Sequence, residues 1–241
     1  MIQLEHVSKV YSGTHKAVDD CSFFVEDGKI TGFIGPNGAG KTTTIKMIMG
    51  ILEASEGKIL LDGEDIWRNA IEAKKKIGFV SDNPDSFLRL KGLEYLNFMA
   101  DIYDVPGEGR AEKIRSMAER FEMTDALGDR ILSYSHGMRQ KIMVMGALLH
   151  DPSLWILDEP LTGLDPRAAF ELKEMMKEHA ASGRTVLFST HVLEVAEKLC
   201  DKVVIINRGH IVYQGTLERL REDYPEGTSL EEIFLAVTEH A

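Results

Sequence analysis

Gly35-Pro36-Asn37-Gly38-Ala39-Gly40-Lys41-Thr42-Thr43 carries the spacing G-x-x-x-x-G-K-[ST], the pattern of a loop that wraps phosphate. Glycines at these positions let backbone N–H groups converge on phosphate oxygens with no Cβ in the way. Lys29 to Ile34 just before the loop reads as a short, mostly apolar strand. Thr43 to Met49 just after it has helical spacing, with Ile45, Ile48 and Met49 on one face. A helix starting there adds the positive end of its dipole at the same point. The plain alternative is a glycine turn followed by an exposed lysine, and the strand–loop–helix setting weighs against it.

A second chemical segment lies far along the chain. Leu154-Trp155-Ile156-Leu157 is an apolar run ending in Asp158, Glu159 and Pro160. A parallel strand covered on both faces reads this way, and its carboxyl end is where ligands sit in open α/β sheets. Asp158 is placed to hold Mg²⁺ through water, because that ion keeps much of its hydration shell. Glu159, one residue on, projects differently and suits a general base for an attacking water. Thr185 to Ser189 reads as another buried strand, with His191 just past its end. A histidine there can donate a hydrogen bond to a terminal phosphate and orient the water. Taken alone, His191 reads more readily as an ordinary loop or helix-start histidine; only the other segments together give it a role.

Tyr134-Ser135-His136-Gly137-Met138-Arg139-Gln140-Lys141 opens a strong helical stretch, with Ser135 in the N-cap position. With these segments in hand, the chain resembles the nucleotide-binding subunit of ABC transporters over nearly its whole length. That family's signature segment usually reads Leu-Ser-Gly-Gly-Gln. Ser135 and Gly137 match its two most informative positions, while His136 replaces a glycine and Met138 the glutamine. This variant is similar to the exporters whose membrane subunits are called ABC-2 type. The resemblance implies ATP as the nucleotide, with Lys41 reaching its β- and γ-phosphates and Thr42 and Asp158 serving Mg²⁺. It implies that Ser135, Gly137 and Met138 face ATP held by a second copy of the chain. It also implies that Tyr11 stacks on adenine, unless that ring packs on its own domain. Gly163-Leu164-Asp165-Pro166 resembles a loop that crosses the dimer interface; Asp165 is equally a helix N-cap with Pro166 at the first helical position. One departure stands out. After the strand Ile77-Gly78-Phe79-Val80 the family places a glutamine that contacts Mg²⁺ and the attacking water, and this chain has Ser81-Asp82-Asn83. Asp82 takes that place, or Asn83 does in a shifted register. An ionised aspartate can ligate the ion but cannot donate a hydrogen bond.

These residues need a scaffold, and the length allows one: 241 residues, 44% hydrophobic, can bury a large core. The resemblance implies an α/β fold: a P-loop NTPase core with a mixed, mainly parallel sheet, an N-terminal antiparallel β-subdomain and an inserted α-helical subdomain. The core is expected over about 1–84 and 151–220, the helical subdomain over about 85–150, and a short helical tail over 221–241. Ile2 to Val7 and Cys21 to Val25 alternate like half-exposed antiparallel strands, and Lys58 to Leu61 reads as a strand turning at Asp62-Gly63. Leu93, Leu96, Asn97 and Ala100 lie along one helix and Ala111 to Phe121 along the next, separated by Pro106-Gly107-Glu108-Gly109. Arg167 to His179 reads as an amphipathic helix. Strands are expected around Val186, Val204 and Val212, the last two joined by Arg208-Gly209, and Ser229 to Val237 as a closing amphipathic helix.

The formal charge of −11 argues against broad electrostatic binding to DNA or RNA, so no nucleic-acid partner is expected. Cys21 and Cys200 have no metal spacing and read as unpaired thiols of a reducing compartment. No apolar run approaches the roughly 18 residues of a membrane span, and the N-terminus lacks a signal pattern. Any membrane duty therefore falls to a separate transmembrane permease subunit, with this chain cytoplasmic and peripheral on the inner face. In the family a cytoplasmic helix of that partner enters a groove beside the helical lobe. Phe87, Leu88, Leu90 and Tyr95 lie in the matching stretch, as an exposed patch or as lobe core. The rival from another class is a soluble cassette ATPase acting on ribosomes or nucleic acid. Such chains usually carry two cassettes, zinc modules or long coiled coils, and none appears.

Overall fold

The computed structural model describes residues 1–11, 13 and 15–239. Its apolar runs sort into two sheets. In the first, β1 (Ile2–Val10) pairs antiparallel with β2 (Lys16–Val25) on one edge and with β4 (Glu56–Leu61) on the other. The short β5 (Glu64–Asp65) closes the order β2-β1-β4-β5. The alternating burial along β2 is the one-sided pattern expected of a half-covered sheet. In the second, β3 (Ile30–Ile34), β6 (Ile77–Val80), β7 (Leu154–Asp158), β8 (Thr185–Thr190) and β9 (Lys202–Asn207) run parallel. Edge strand β10 (His210–Gly215) pairs antiparallel with β9, giving the order β10-β9-β3-β8-β7-β6. β3, β7 and β8 are buried at every position, which is why they read as mostly apolar runs, with Asp158 and Ser189 as buried polar exceptions at the site end.

Two hairpins use one device. Asp62-Gly63 and Arg208-Gly209 are two-residue links with both φ values positive, as tight turns matching the strand twist require.

The helices are α1 (Lys41–Ile48), α2 (Ala70–Lys75), α3 (Gly92–Ile102), α4 (Arg110–Arg120), α5 (His136–Leu148), α6 (Pro166–Ala181), α7 (Leu193–Leu199), α8 (Leu217–Glu222) and α9 (Leu230–Glu239). α3, α4 and α5 follow one another between β6 and β7 as a helical lobe, with Tyr95, Leu96, Ile114, Phe121 and Ile142 in its core. Arg120 ties α4 to α6 through Glu178 (2.7 Å) and Glu171 (3.4 Å). Tyr95 is 3% exposed, so it belongs to the lobe core and not to a surface patch, whereas Phe87 is 45% exposed. The Phe87 ring stands 5.2 Å from that of Tyr95 and 5.7 Å from that of Phe98, itself exposed. Both cysteines are free thiols. No helix among the described residues is long and apolar enough to cross a membrane.

Two histidines, His179 buried and His150 half-buried, give the fold an acid-sensitive element. Burial pushes His150, stacked on Tyr103 at 3.7 Å, down to about 4. Burial, with Arg184 adding to it, pushes His179, edge-on to Trp155, down to about 4 as well. Each ring is neutral when folded and takes up a proton more readily once unfolded. Their contribution is therefore complete above the ordinary value of 6.5 and is lost as pH falls from there through about 4. In that window the loss approaches ~1.4 kcal/mol per pH unit for each proton taken up on unfolding. The stability of wild type relative to His179→Met, read from melting curves, is expected to fall as pH drops from 6.5 to 4. A constant gap between them would show that His179 does not titrate on unfolding.

Candidate active site

The glycine loop joins the end of β3 to the start of α1, and its backbone is held where only glycine fits. A Cβ on Gly35 would stand 2.4 Å from the Ile206 carbonyl. Gly40 has φ +109°, and a Cβ there would stand 2.6 Å from the Ala17 carbonyl. No side chain caps α1, so the N–H groups of its first turn face the loop. The Lys41 side chain is buried and donates to the carbonyls of Gly35 (2.7 Å) and Pro36 (3.2 Å). A cavity of about 410 Å³ opens over the loop, lined by Asn37, Gly38, Gly40, Lys41, Thr42 and Thr43. Tyr11, His15, Ala17, Asp82 and Glu159 complete its wall, while Gly35, Pro36 and Ala39 do not line it.

Asp158 ends β7 opposite Ser189 of β8. The Ser189 hydroxyl donates to Asp158 Oδ1 (2.5 Å) and accepts from the Glu159 N–H (2.9 Å), so one side chain orders both acids. Burial raises the Asp158 carboxyl above its ordinary value. Hydrogen bonds from Ser189 and Thr42 pull it back, and the charges of Asp82 and Glu159 push it up again. This buried carboxylate, with two acids near it and a threonine hydroxyl bonded to it, is short of positive charge. The donors are all hard oxygens, as Mg²⁺ prefers. Among the described residues no group of three or more His, Cys, Asp or Glu could cage a metal. Mg²⁺ commonly takes one or two carboxylates and completes its shell with water and substrate phosphate. The residues fit Mg²⁺.

Glu159 itself has φ +48°, a left-handed conformation that costs roughly 1–2 kcal/mol in a non-glycine residue. That turn takes the carboxylate out of the strand direction. Its Oε1 lies 3.5 Å from Lys41 Nζ, and its Oε2 lies 3.0 Å from His191 Nδ1. Because an ionised carboxylate only accepts, Nδ1–H is the donor of this hydrogen bond and Glu159 Oε2 the acceptor. Oε1 is buried without a hydrogen-bond partner. His191, half exposed, thus meets the site through Glu159 and does not itself line the cavity.

The Ser135 segment is built separately. Ser135 caps α5, accepting from the Met138 N–H (3.2 Å). Gly137 sits against the loop after Glu159: a Cβ there would stand 3.0 Å from the Gly163 carbonyl. Gly163 has φ +76° and lies under the His136 ring, which a Cβ would meet at 2.3 Å. Lys141 pairs with Asp165 at 3.1 Å, and Asp165 caps α6 through the Ala168 N–H (2.9 Å), with Pro166 in the first turn. Ser135, Gly137 and Met138 do not line the cavity that holds Lys41 and Glu159.

With the geometry in place, comparison with known proteins decides the family. The ABC transporter family model matches residues 18–162, more than half of the chain, from β2 through the glycine loop and α5 to just past Glu159. The chain belongs to the ABC transporter family. It is 37% identical over 208 residues to the ABC transporter ATP-binding protein NatA of Bacillus subtilis (strain 168), covering 86% of this chain and 85% of that one. It is 35% identical to the Nod factor export ATP-binding protein I of Cupriavidus metallidurans, covering 89% and 71%. Among solved structures, an ATP-binding subunit of an ABC transporter superposes with a TM-score of 0.93 at 32% identity, covering 98% and 99%. A dimeric bacterial ABC transporter cassette, at 23% identity and a TM-score of 0.81, covers 90% and 99% and shares the fold. This chain is an ABC transporter ATP-binding subunit, a P-loop ATPase of mixed α/β fold.

For an ABC cassette its departures sit at telling places. In the segment after β6, where the family's glutamine is expected, Asp82 lines the cavity and Asn83 does not. Tyr11 is 42% exposed at the cavity wall, its hydroxyl 3.4 Å from Thr43 Oγ1, so its ring is available to a ligand. Sequence reading missed two features. The double hydrogen bond of Ser189 depends on the register of β7 against β8, and His15 reaches the cavity from a connection with no pattern of its own.

Proposed function

We propose that two copies of this chain close head to tail over two ATP molecules and so drive a separate permease, as in an ABC-2 type exporter. The observation that carries this reading is the separation of the two halves of the site. One face holds Lys41, Thr42, Asp158 and Glu159, and the serine-capped, anion-seeking end of α5 lies outside that cavity. A second copy brings such an end to the open side. Lys41 and the loop N–H groups hold the β- and γ-phosphates, while Thr42 and Asp158, with Asp82 beside them, provide the magnesium oxygens. Mg²⁺, when bound, neutralises charge developing on the phosphate oxygens. Glu159 accepts the proton of the attacking water, and His191 fixes the carboxylate that does so. Tyr11 offers its ring to adenine. Ser135, Gly137 and Met138 of the other copy close over the γ-phosphate, whose departure reopens the pair. Exposed Phe87 and Phe98 offer the permease helix an apolar seat, which holds the chain on the inner face of the membrane. Export as the direction is supported by the signature variant and by the export role in the name of one relative.

Ser135→Arg tests this directly. Turnover is expected to fall by at least about a hundredfold, as when a transition-state donor is lost, with ATP affinity of the single chain unchanged. Loss of nucleotide affinity in the single chain would mean that Ser135 serves its own cavity.

A further inference from the structure

We infer that Arg139 is a positioning residue that ties the loop carrying Asp82 to the segment carrying Ser135. The Arg139 side chain is 20% exposed and each of three N–H groups of its guanidinium has an acceptor. Nη1 donates to Asp85 Oδ1 (2.6 Å), Nη2 to the Leu132 carbonyl (2.9 Å) and Nε to the Ile131 carbonyl (3.3 Å). Ile131 and Leu132 belong to the 3₁₀ turn Ile131–Ser133, which ends two residues before Ser135. The guanidinium is planar with its donors at fixed angles, so a shift of Asp85 is carried to that turn as a unit.

Asp85 is in turn fixed to the cavity wall by short bonds. Its N–H donates to Asn83 Oδ1 (2.9 Å), the Asn83 N–H donates to Ser81 Oγ (3.3 Å), and the Ser81 hydroxyl donates to Asp82 Oδ1 (3.0 Å). Asp82 shares the cavity with Lys41 and Glu159. The chain of contacts therefore runs from Asp82 through Asp85 and Arg139 to the turn before Ser135. The inference rests on the head-to-tail reading: Ser135 serves the partner's nucleotide, so nucleotide bound at Asp82 in one copy sets the geometry offered to the other.

Asp85→Ala, Arg139→Ala and the double variant test it, with turnover, ATP affinity of the single chain, and ATP-driven pairing in a Glu159→Gln background as readouts. Each single change is expected to lower kcat about tenfold and to weaken pairing, with single-chain ATP affinity within about twofold of wild type. The double variant is expected to be no worse than the worse single, because both remove one link. Asp85→Asn, which keeps an acceptor for Nη1, is expected to recover most of the lost turnover. It also carries the test, with Asp85→Ala, should Arg139→Ala not fold. If Arg139 only braces the 3₁₀ turn, Asp85→Ala will turn over like wild type; that result, or additive losses in the double variant, overturns the relay. Those results alongside intact ATP-driven pairing of Glu159→Gln remove the relay alone. Absence of any pairing in Glu159→Gln removes the head-to-tail reading and the relay with it.

Discussion

Glu159→Gln is expected to bind ATP normally, to lose turnover by about 10²- to 10⁴-fold, and to accumulate as an ATP-bound pair. The substitution keeps the shape of the side chain, so the left-handed backbone at φ +48° and the packing around it need not change. It removes the one property that matters for the water attack, an oxygen basic enough to take a proton. Glu159 is well placed for that task because its two oxygens have different neighbours. Oε2 is fixed by His191 Nδ1 at 3.0 Å, and Oε1 is buried, without a hydrogen-bond partner, 3.5 Å from the Lys41 ammonium. The amide can still accept from His191 through its own oxygen, so ATP can still be enclosed while the bond-breaking step stalls. Size-exclusion chromatography with and without ATP, alongside phosphate release, separates these effects. Ordinary turnover in Glu159→Gln would take the general-base role away from this residue. A variant inactive yet monomeric with ATP would leave the base in place and remove the pairing.

What the sequence reveals about this site divides along a physical line. The glycine loop is readable because its geometry is local: Gly35 and Gly40 stand where any Cβ would strike a backbone carbonyl. β3, β7 and β8 are readable because strands covered on both faces are mostly apolar along their length. Asp62-Gly63 and Arg208-Gly209 reveal their hairpins through residue type alone. By contrast, α2 escapes because none of its residues is buried, so it leaves no apolar stripe to detect. α7 and α8 are only seven and six residues long, too short for periodicity to speak. The contacts that tune the site are lost for another reason: they join distant segments. Ser189 reaches Asp158 across a strand pair, Arg139 reaches Asp85 across 54 positions, and His136 lies over Gly163. Spacing says nothing about such partners. The segment at Asp82 is an intermediate case: the sequence offers two neighbouring residues, and only Asp82 stands in the cavity wall.

Lys41 is the residue whose loss should cost nucleotide binding most. Its side chain is buried at the floor of the cavity, where it satisfies the Gly35 and Pro36 carbonyls and faces Glu159. A phosphate at the loop competes for the same ammonium, and a charge-assisted bond there is stronger than one to a neutral carbonyl. Removing two such bonds, at ~1.5 kcal/mol each, predicts a loss of ATP affinity of about a hundredfold for Lys41→Ala. The same change also empties the space filled by the buried stem, so part of the effect enters through lost packing. Lys41→Met separates the two causes, since it fills the buried stem without supplying charge. Equal losses in the alanine and methionine variants, with melting temperatures near wild type, assign the effect to the ammonium. An affinity unchanged in both, measured by titration with a fluorescent ATP analogue, would remove the phosphate from this loop. Because the carboxylates of Asp82, Asp158 and Glu159 gather near Lys41 and Thr42, the site without Lys41 is a cluster of negative charge opposed mainly by backbone dipoles. A polyanion has little reason to enter it, and that imbalance is the physical ground for expecting the largest binding defect here.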